Sequence, residues 1–169
     1  NSVGGDQLYH SAGLEAVQYV PIPGESTWAS RAFYGRSTGE DRQVFRLGGV
    51  DRIRAVSSGA EANKKSNVAF VSSEARLRIK YLNARTKFLF PDFFFKAAYL
   101  LVFDDVGYGW DEGSEIDAFQ ARDLQNSAGV GISWPTFILQ SFQLNLTVQW
   151  AHQTNKGQDV WYISVGPSF

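Results

Sequence analysis

The chain has 169 residues, a formal charge of −1 with a pI near 6.1, 15% aromatic residues and no cysteine. That length accommodates one domain, and the balanced charge argues against a nucleic-acid partner, which needs a basic face. The missing cysteines exclude a disulfide framework and a cysteine-ligated zinc, and two histidines argue against a His-rich metal site, so no cofactor is expected.

In chain order, residues 9–20 and 27–35 are weak strand candidates. Residues 45–66 break the alternation with a stretch far longer than a hairpin needs, carrying Arg46, Arg52 and Arg54 within nine residues. Two readings stand: a solvated surface loop, the usual fate of such a segment, or a structured loop whose arginine meets carboxylates on a strand wall. Residues 67–81 alternate, with Ala69, Val71, Ala75, Leu77, Ile79 and Tyr81 on one face and Glu74, Arg76, Arg78 and Lys80 on the other. A turn is expected at 83–86. Over 93–108, Ala98, Leu100 and Val102 oppose Asp105 and Gly107. Val130, Ile132 and Trp134 alternate with Gly129, Gly131 and Ser133, after which Pro135 and Thr136 predict a connection near 137–141. Leu144, Leu146, Val148 and Trp150 alternate with Gln143, Asn145, Thr147 and Gln149, and a polar turn follows at 153–159. Finally Trp161, Ile163, Val165 and Phe169 alternate with Tyr162, Ser164, Gly166 and Ser168, while Pro167 suits a rim position.

The pattern predicts an all-β, antiparallel fold of about seven strands without a convincing helix. No window approaches the ~20 apolar residues of a membrane helix, but a membrane barrel spreads its apolar face by alternation. A soluble sandwich and a transmembrane barrel both alternate. The polar faces of the last three strands are nearly uncharged, and Trp134, Trp150 and Trp161 sit at strand ends, which favours the barrel. The chain starts at Asn1 with no Met and no basic-then-apolar leader, so a processed or fragmentary chain is expected.

Several of these residues resemble the BamA-type outer-membrane assembly family, also called the bacterial surface antigen family, which includes two-partner secretion transporters and barrels fused to patatin-like lipases. Leu47-Gly48-Gly49 followed by Ile53-Arg54 resembles its loop motif, a Leu-Gly-Gly and then Val-Arg-Gly-Tyr or Val-Arg-Gly-Phe. Phe103-Asp104-Asp105-Val106-Gly107 resembles its Phe-x-Asp-x-Gly strand, Glu74-Ala75-Arg76 its Glu-x-Arg, residues 127–134 its Gly-rich third-from-last strand, and Phe169 its terminal aromatic. The matches keep the family's order over residues 45–169. The chain departs from the family at Ala55-Val56, where the family has Gly-aromatic.

The resemblance implies an antiparallel transmembrane β-barrel of roughly sixteen strands, residues 1–169 forming its C-terminal portion of about seven. Residues 45–66 would be a long extracellular loop folding into the lumen. It implies a bacterial outer-membrane location, a lipid partner, and a second polypeptide or N-terminal fragment that completes the barrel. It brings Arg54 inward against Asp105 with Glu74 close by, as a latch and not a catalytic dyad; charges pairing across a wet lumen are the alternative. The closing strand, with Trp161, Ile163, Val165, Gly166 and Phe169, would form a weak seam through which client proteins are inserted or translocated. The alternative function is a membrane anchor for an upstream or partner enzymatic or binding domain; a passive pore ranks last. The chain is not expected to be an enzyme: Ser57-Ser58-Gly59 lacks a nucleophile elbow, His10 and His152 have no evident nucleophilic partner, and no Lys-Ser or Lys-Thr follows Gly48-Gly49 as in a phosphate loop.

Overall fold

The computed structural model describes residues 8–57, 59–86, 92–111, 123–139 and 141–166; Pro167 and Phe169 of the expected closing strand lie outside them. Seven long strands form one antiparallel sheet: β1 (Tyr9–Ile22), β2 (Ser26–Gly39), β5 (Asn67–Thr86), β6 (Phe93–Trp110), β7 (Gln125–Ile138), β8 (Phe142–Gln153) and β9 (Gln158–Gly166). Two short strands, β3 (Phe45–Arg46) and β4 (Lys64–Lys65), pair with each other in the β2–β5 connection, beside a 3-10 turn over Glu61–Asn63. The long strands follow one another in space as in sequence, and β1 and β9 are the two edges of an open sheet. No helix among the described residues is long and apolar enough to cross a membrane, which says nothing of strands.

Two expected breaks are not breaks. The turn expected at 83–86 is the end of β5. Asn83 takes a positive φ of 41° where the register slips between Tyr81 and Ala84, so the strand bulges and continues. The connection expected after Pro135 begins only past Ile138. The β6–β7 register jumps from Phe95↔Thr136 to Tyr99↔Ser133, leaving Pro135 without a β6 partner. Its missing N–H therefore costs no ladder hydrogen bond.

The sheet is inverted relative to a soluble sandwich. Asp105, Ser127, Ser133, Thr147, Gln149 and Gln153, all on one face, are buried, while Val102, Val130, Ile132, Trp161, Ile163 and Val165 on the other are exposed, Ile163 to 81%. The segment between β2 and β5 lies on the polar face. Leu47, Ile53 and Val56 of this loop form one apolar cluster with Val68 and Phe70, with Phe33 and Phe45 against it. Ala55 forms a second with Phe103 and Ala151, flanked by Val160 and Tyr162. The loop is thus bound across β5 to β9, while β1 packs little on either face.

Ile53 is fully buried. Ile53→Ala is expected to weaken loop docking by about 2–5 kcal/mol, measured as faster protease cleavage between residues 49 and 64. Unchanged cleavage would mean that the apolar cluster does not hold the loop.

Candidate functional site

The loop backbone is shaped before its side chains act. The Ile53 amide donates to the Leu47 carbonyl and the Gly49 amide to the Ile53 carbonyl, so the segment turns back on itself. Gly48 sits so close to this return that an added Cβ would stand 2.1 Å from the Val56 carbonyl oxygen, and Gly49 takes φ of +138°. Both positions require glycine, for space and for conformation respectively. The turn presents Ile53, Arg54 and Ala55 in succession to the wall.

On the wall, Phe103, Asp105 and Gly107 alternate along β6 and so share a face. Each meets one loop residue. A Cβ on Gly107 would stand 2.7 Å from the Ile53 side chain and 2.6 Å from that of Phe70, so glycine lets Ile53 reach the sheet. Asp105 receives Arg54, and Phe103 packs with Ala55. The Arg54 guanidinium also lies over the Phe103 ring, 3.4 Å from its centroid.

All five N–H bonds of this guanidinium find acceptors. Nε donates to Asp105 Oδ2 at 2.8 Å. Nη2 donates to Asp105 Oδ1 at 2.8 Å and to Ser72 Oγ at 3.3 Å. Nη1 donates to Glu74 Oε2 at 2.8 Å and to Gln149 Oε1 at 3.2 Å. The Arg54 backbone N–H adds a further bond to Asp105 Oδ2 at 3.1 Å, and the Ser72 hydroxyl donates to Asp105 Oδ1 at 2.6 Å. Arg76 completes the group by donating to Glu74 Oε1 at 2.7 Å, so two cations meet two carboxylates. The bidentate fork on Asp105 is the strong geometry for such a pair.

Arg54 is 5% exposed and Asp105 0%. Burial alone would favour the neutral guanidine. The Asp105 hydrogen bond and charge, with those of Glu74, outweigh it and raise the arginine above its usual pKa. The residue stays charged wherever the fold exists. The arrangement is suited to holding a loop on a wall. Beside it a cavity of about 410 Å³ opens between the loop and β1–β2, lined in part by Glu15, Arg31, Arg52 and Arg76.

The structure brings together Arg54, Asp105, Glu74, Phe103, Gly107, Leu47, Gly48 and Ile53. It does not bring the seam residues to this group: Trp161, Ile163 and Val165 project from the opposite face of β9, and Gly166 is the last described residue of that strand. Sequence reasoning missed Ser72, Gln149 and Tyr162. Tyr162 accepts a 2.9 Å hydrogen bond from the Ala55 amide through its hydroxyl, tying the loop to the edge strand. Their parity placed Gln149 and Tyr162 on the polar face, but nothing local in the sequence marks either as a partner of the loop.

No protein-family model, curated protein or solved structure matches this chain.

Arg54→Ala and Asp105→Ala are each expected to destabilise loop docking by about 3–5 kcal/mol. The double variant should be little worse than either, because both remove one interaction; amide exchange across residues 47–56 is the readout, and full additivity would contradict the pairing. Arg54→Lys should not restore protection, since an ammonium cannot fork onto Asp105 while reaching Glu74 and Gln149. Ala55 takes φ of +62° at a buried position. Ala55→Val should therefore undock the loop, because a β-branched side chain strongly disfavours that conformation; a normally protected valine variant would refute the conformational assignment.

Proposed function

We propose that this chain supplies the C-terminal strands of a bacterial outer-membrane β-barrel of the assembly and translocation type, with the Arg54 loop latched inside the lumen. The observation that carries the reading is the pairing of loop and strand motifs. Ile53 and Arg54, which resemble part of the family's loop signature, meet Gly107 and Asp105, which resemble part of its strand signature, with Arg54 against Asp105 at 2.8 Å. The inverted sheet supports the same reading, since an apolar exterior and polar interior suit a barrel in lipid. Strands of 9 to 20 residues are long enough to cross the hydrocarbon layer.

An open sheet in lipid would leave the backbone groups along β1 and β9 unpaired, at several kcal/mol each. The barrel is therefore closed by a second polypeptide or an N-terminal fragment that brings about nine more strands. The join at β9 is the seam. Among the described residues β9 pairs with β8 alone, and it carries Gly166, a weak ladder residue. A client strand can exchange onto that edge by β-augmentation, with hydrogen-bond exchange driving the step and no cofactor or hydrolysis required. Non-enzymatic insertion or translocation of outer-membrane proteins is the function proposed. The loss of Gly-aromatic at Ala55-Val56 gives weight to one other role for the same barrel, as an anchor for an enzymatic or binding domain.

Refolded alone in detergent, the chain is expected to remain heat-labile and aggregation-prone. Isolated from its own membrane, it is expected to bring its completing strands with it. A compact, heat-resistant monomer would contradict the half-barrel. Vesicles containing the completed barrel should accelerate folding of an added outer-membrane protein, and a disulfide locking β9 to its neighbouring strand should remove the acceleration. An assembled barrel that gives none with β9 unlocked is the anchor.

A further inference from the structure

The loop has a second hold on the wall, toward the edge opposite Tyr162. Arg31 of β2 donates through Nη1 to the Asp51 carbonyl oxygen at 2.5 Å, and through Nε to the carboxylate of Glu15. Glu15 belongs to β1 and lies diagonally across from Arg31, whose direct register partner is Val17. The Arg31 guanidinium also lies 5.4 Å from the centroid of the Phe70 ring, and Phe70 belongs to the cluster that buries Ile53. Arg52 lies over the Phe33 ring at 5.6 Å, with its Nη1 donating to the Arg46 carbonyl. Phe33 and Phe70 stack at 5.4 Å, so two guanidiniums and two stacked rings fix the turn at residues 51 and 52.

One short segment of the loop is thus gripped from both sides of the sheet. Arg31 holds the Asp51 carbonyl, and Tyr162 of β9 holds the Ala55 amide at 2.9 Å. From β2 to β9 the sheet runs through β5, β6, β7 and β8, five spacings of ~4.8 Å, or about 24 Å if flat. The backbone from Asp51 to Ala55 reaches about 14 Å at full extension. Strand side chains stand roughly perpendicular to their sheet, so on a flat one the two grips would be too far apart for this segment. The polar face is therefore concave, and the loop spans it as a chord. We infer, on the half-barrel reading above, that the docked loop is a brace. It sets the curl of the sheet and so holds the edges β1 and β9 in position to receive the completing strands, with Arg31 and Tyr162 as its end fastenings.

Strand-to-strand angles vary widely among sheets, and small differences at each step accumulate toward the edges. β1 is the edge least positioned by packing, with side chains exposed along almost its whole length. Its ion pair to Arg31 would hold little by itself, at side-chain exposures of 32% for Arg31 and 42% for Glu15. The pair gains its effect from Arg31, which the loop carbonyl and the Phe70 ring already immobilise. An edge held in one position loses less freedom when a partner strand pairs with it. Arg54 hydrogen-bonds neither edge strand, yet its bonds to Asp105 keep residues 51 and 55 where Arg31 and Tyr162 reach them.

Backbone amide exchange over residues 13–19 of β1 and 158–164 of β9 tests the brace, in the assembled protein isolated from its own membrane. Arg54→Ala is expected to speed exchange severalfold in both stretches. In an Arg31→Gln background, residues 13–19 should already exchange faster and Arg54→Ala should add little there, while its effect on residues 158–164 persists. Tyr162→Phe should do the converse. Glu15→Ala, which leaves the Arg31 bond to the loop in place, should speed residues 13–19 with residues 47–56 still protected. If Arg54→Ala releases residues 47–56 and leaves residues 13–19 unchanged, the loop has no hold on β1, the brace is wrong and the half-barrel stands. If the chain comes out of the membrane without completing strands, both are wrong.

Discussion

A guanidinium buried to 5% exposure is the constraint on which the rest of this structure depends. Such a charge is tolerated only if its desolvation is offset by close counter-charges and if every donor is satisfied. Asp105 and Glu74 supply the counter-charge, Ser72 and Gln149 take the remaining N–H bonds, and the Phe103 ring closes one face. The neighbouring glycines follow from this demand. Gly48 lets the loop double back on itself, and Gly107 lets Ile53 settle beside the ion pair. The loop is therefore held by β5, β6 and β8 at its arginine, and by β9 through Tyr162.

That clamp gives the sheet a polar face that is filled and an apolar face that is bare. In water such a molecule would expose the wrong side and two strand edges. In lipid, given strands to close it, the same molecule buries its apolar surface and keeps its ions inside. The Tyr162 bond also means that the loop touches the strand proposed to open. Docking of the loop and stability of the β9 edge are therefore linked through one hydroxyl.

The sequence shows the alternation clearly wherever one face is polar and the other is not. Parity alone puts Glu74 and Asp105 on one face, and Trp161, Ile163 and Val165 on the opposite one. It underestimates β1, whose side chains are exposed on both faces and so carry little periodic signal. It misjudges Asn83 and Pro135, because a positive φ can be taken up by a bulge within a strand, and a proline ends a strand only where its missing N–H is needed. At both places a register slip lets the strand continue. Gln149 and Tyr162 could not be assigned to the site from sequence. They lie 95 and 107 residues from their partners, and only the strand register brings them under the loop. The left-handed backbone at Ala55 is equally silent, since alanine gives no sign of a positive φ.

Ion conductance of the assembled protein in planar bilayers tests the latched barrel most directly. The account predicts a small, intermittent conductance for the native protein. Arg54→Ala and Asp105→Ala should each raise it severalfold to the same level, because either change frees the same loop from the same lumen. Large, steady conductance in the native protein, or variants indistinguishable from it, would contradict a loop latched inside a membrane-spanning barrel.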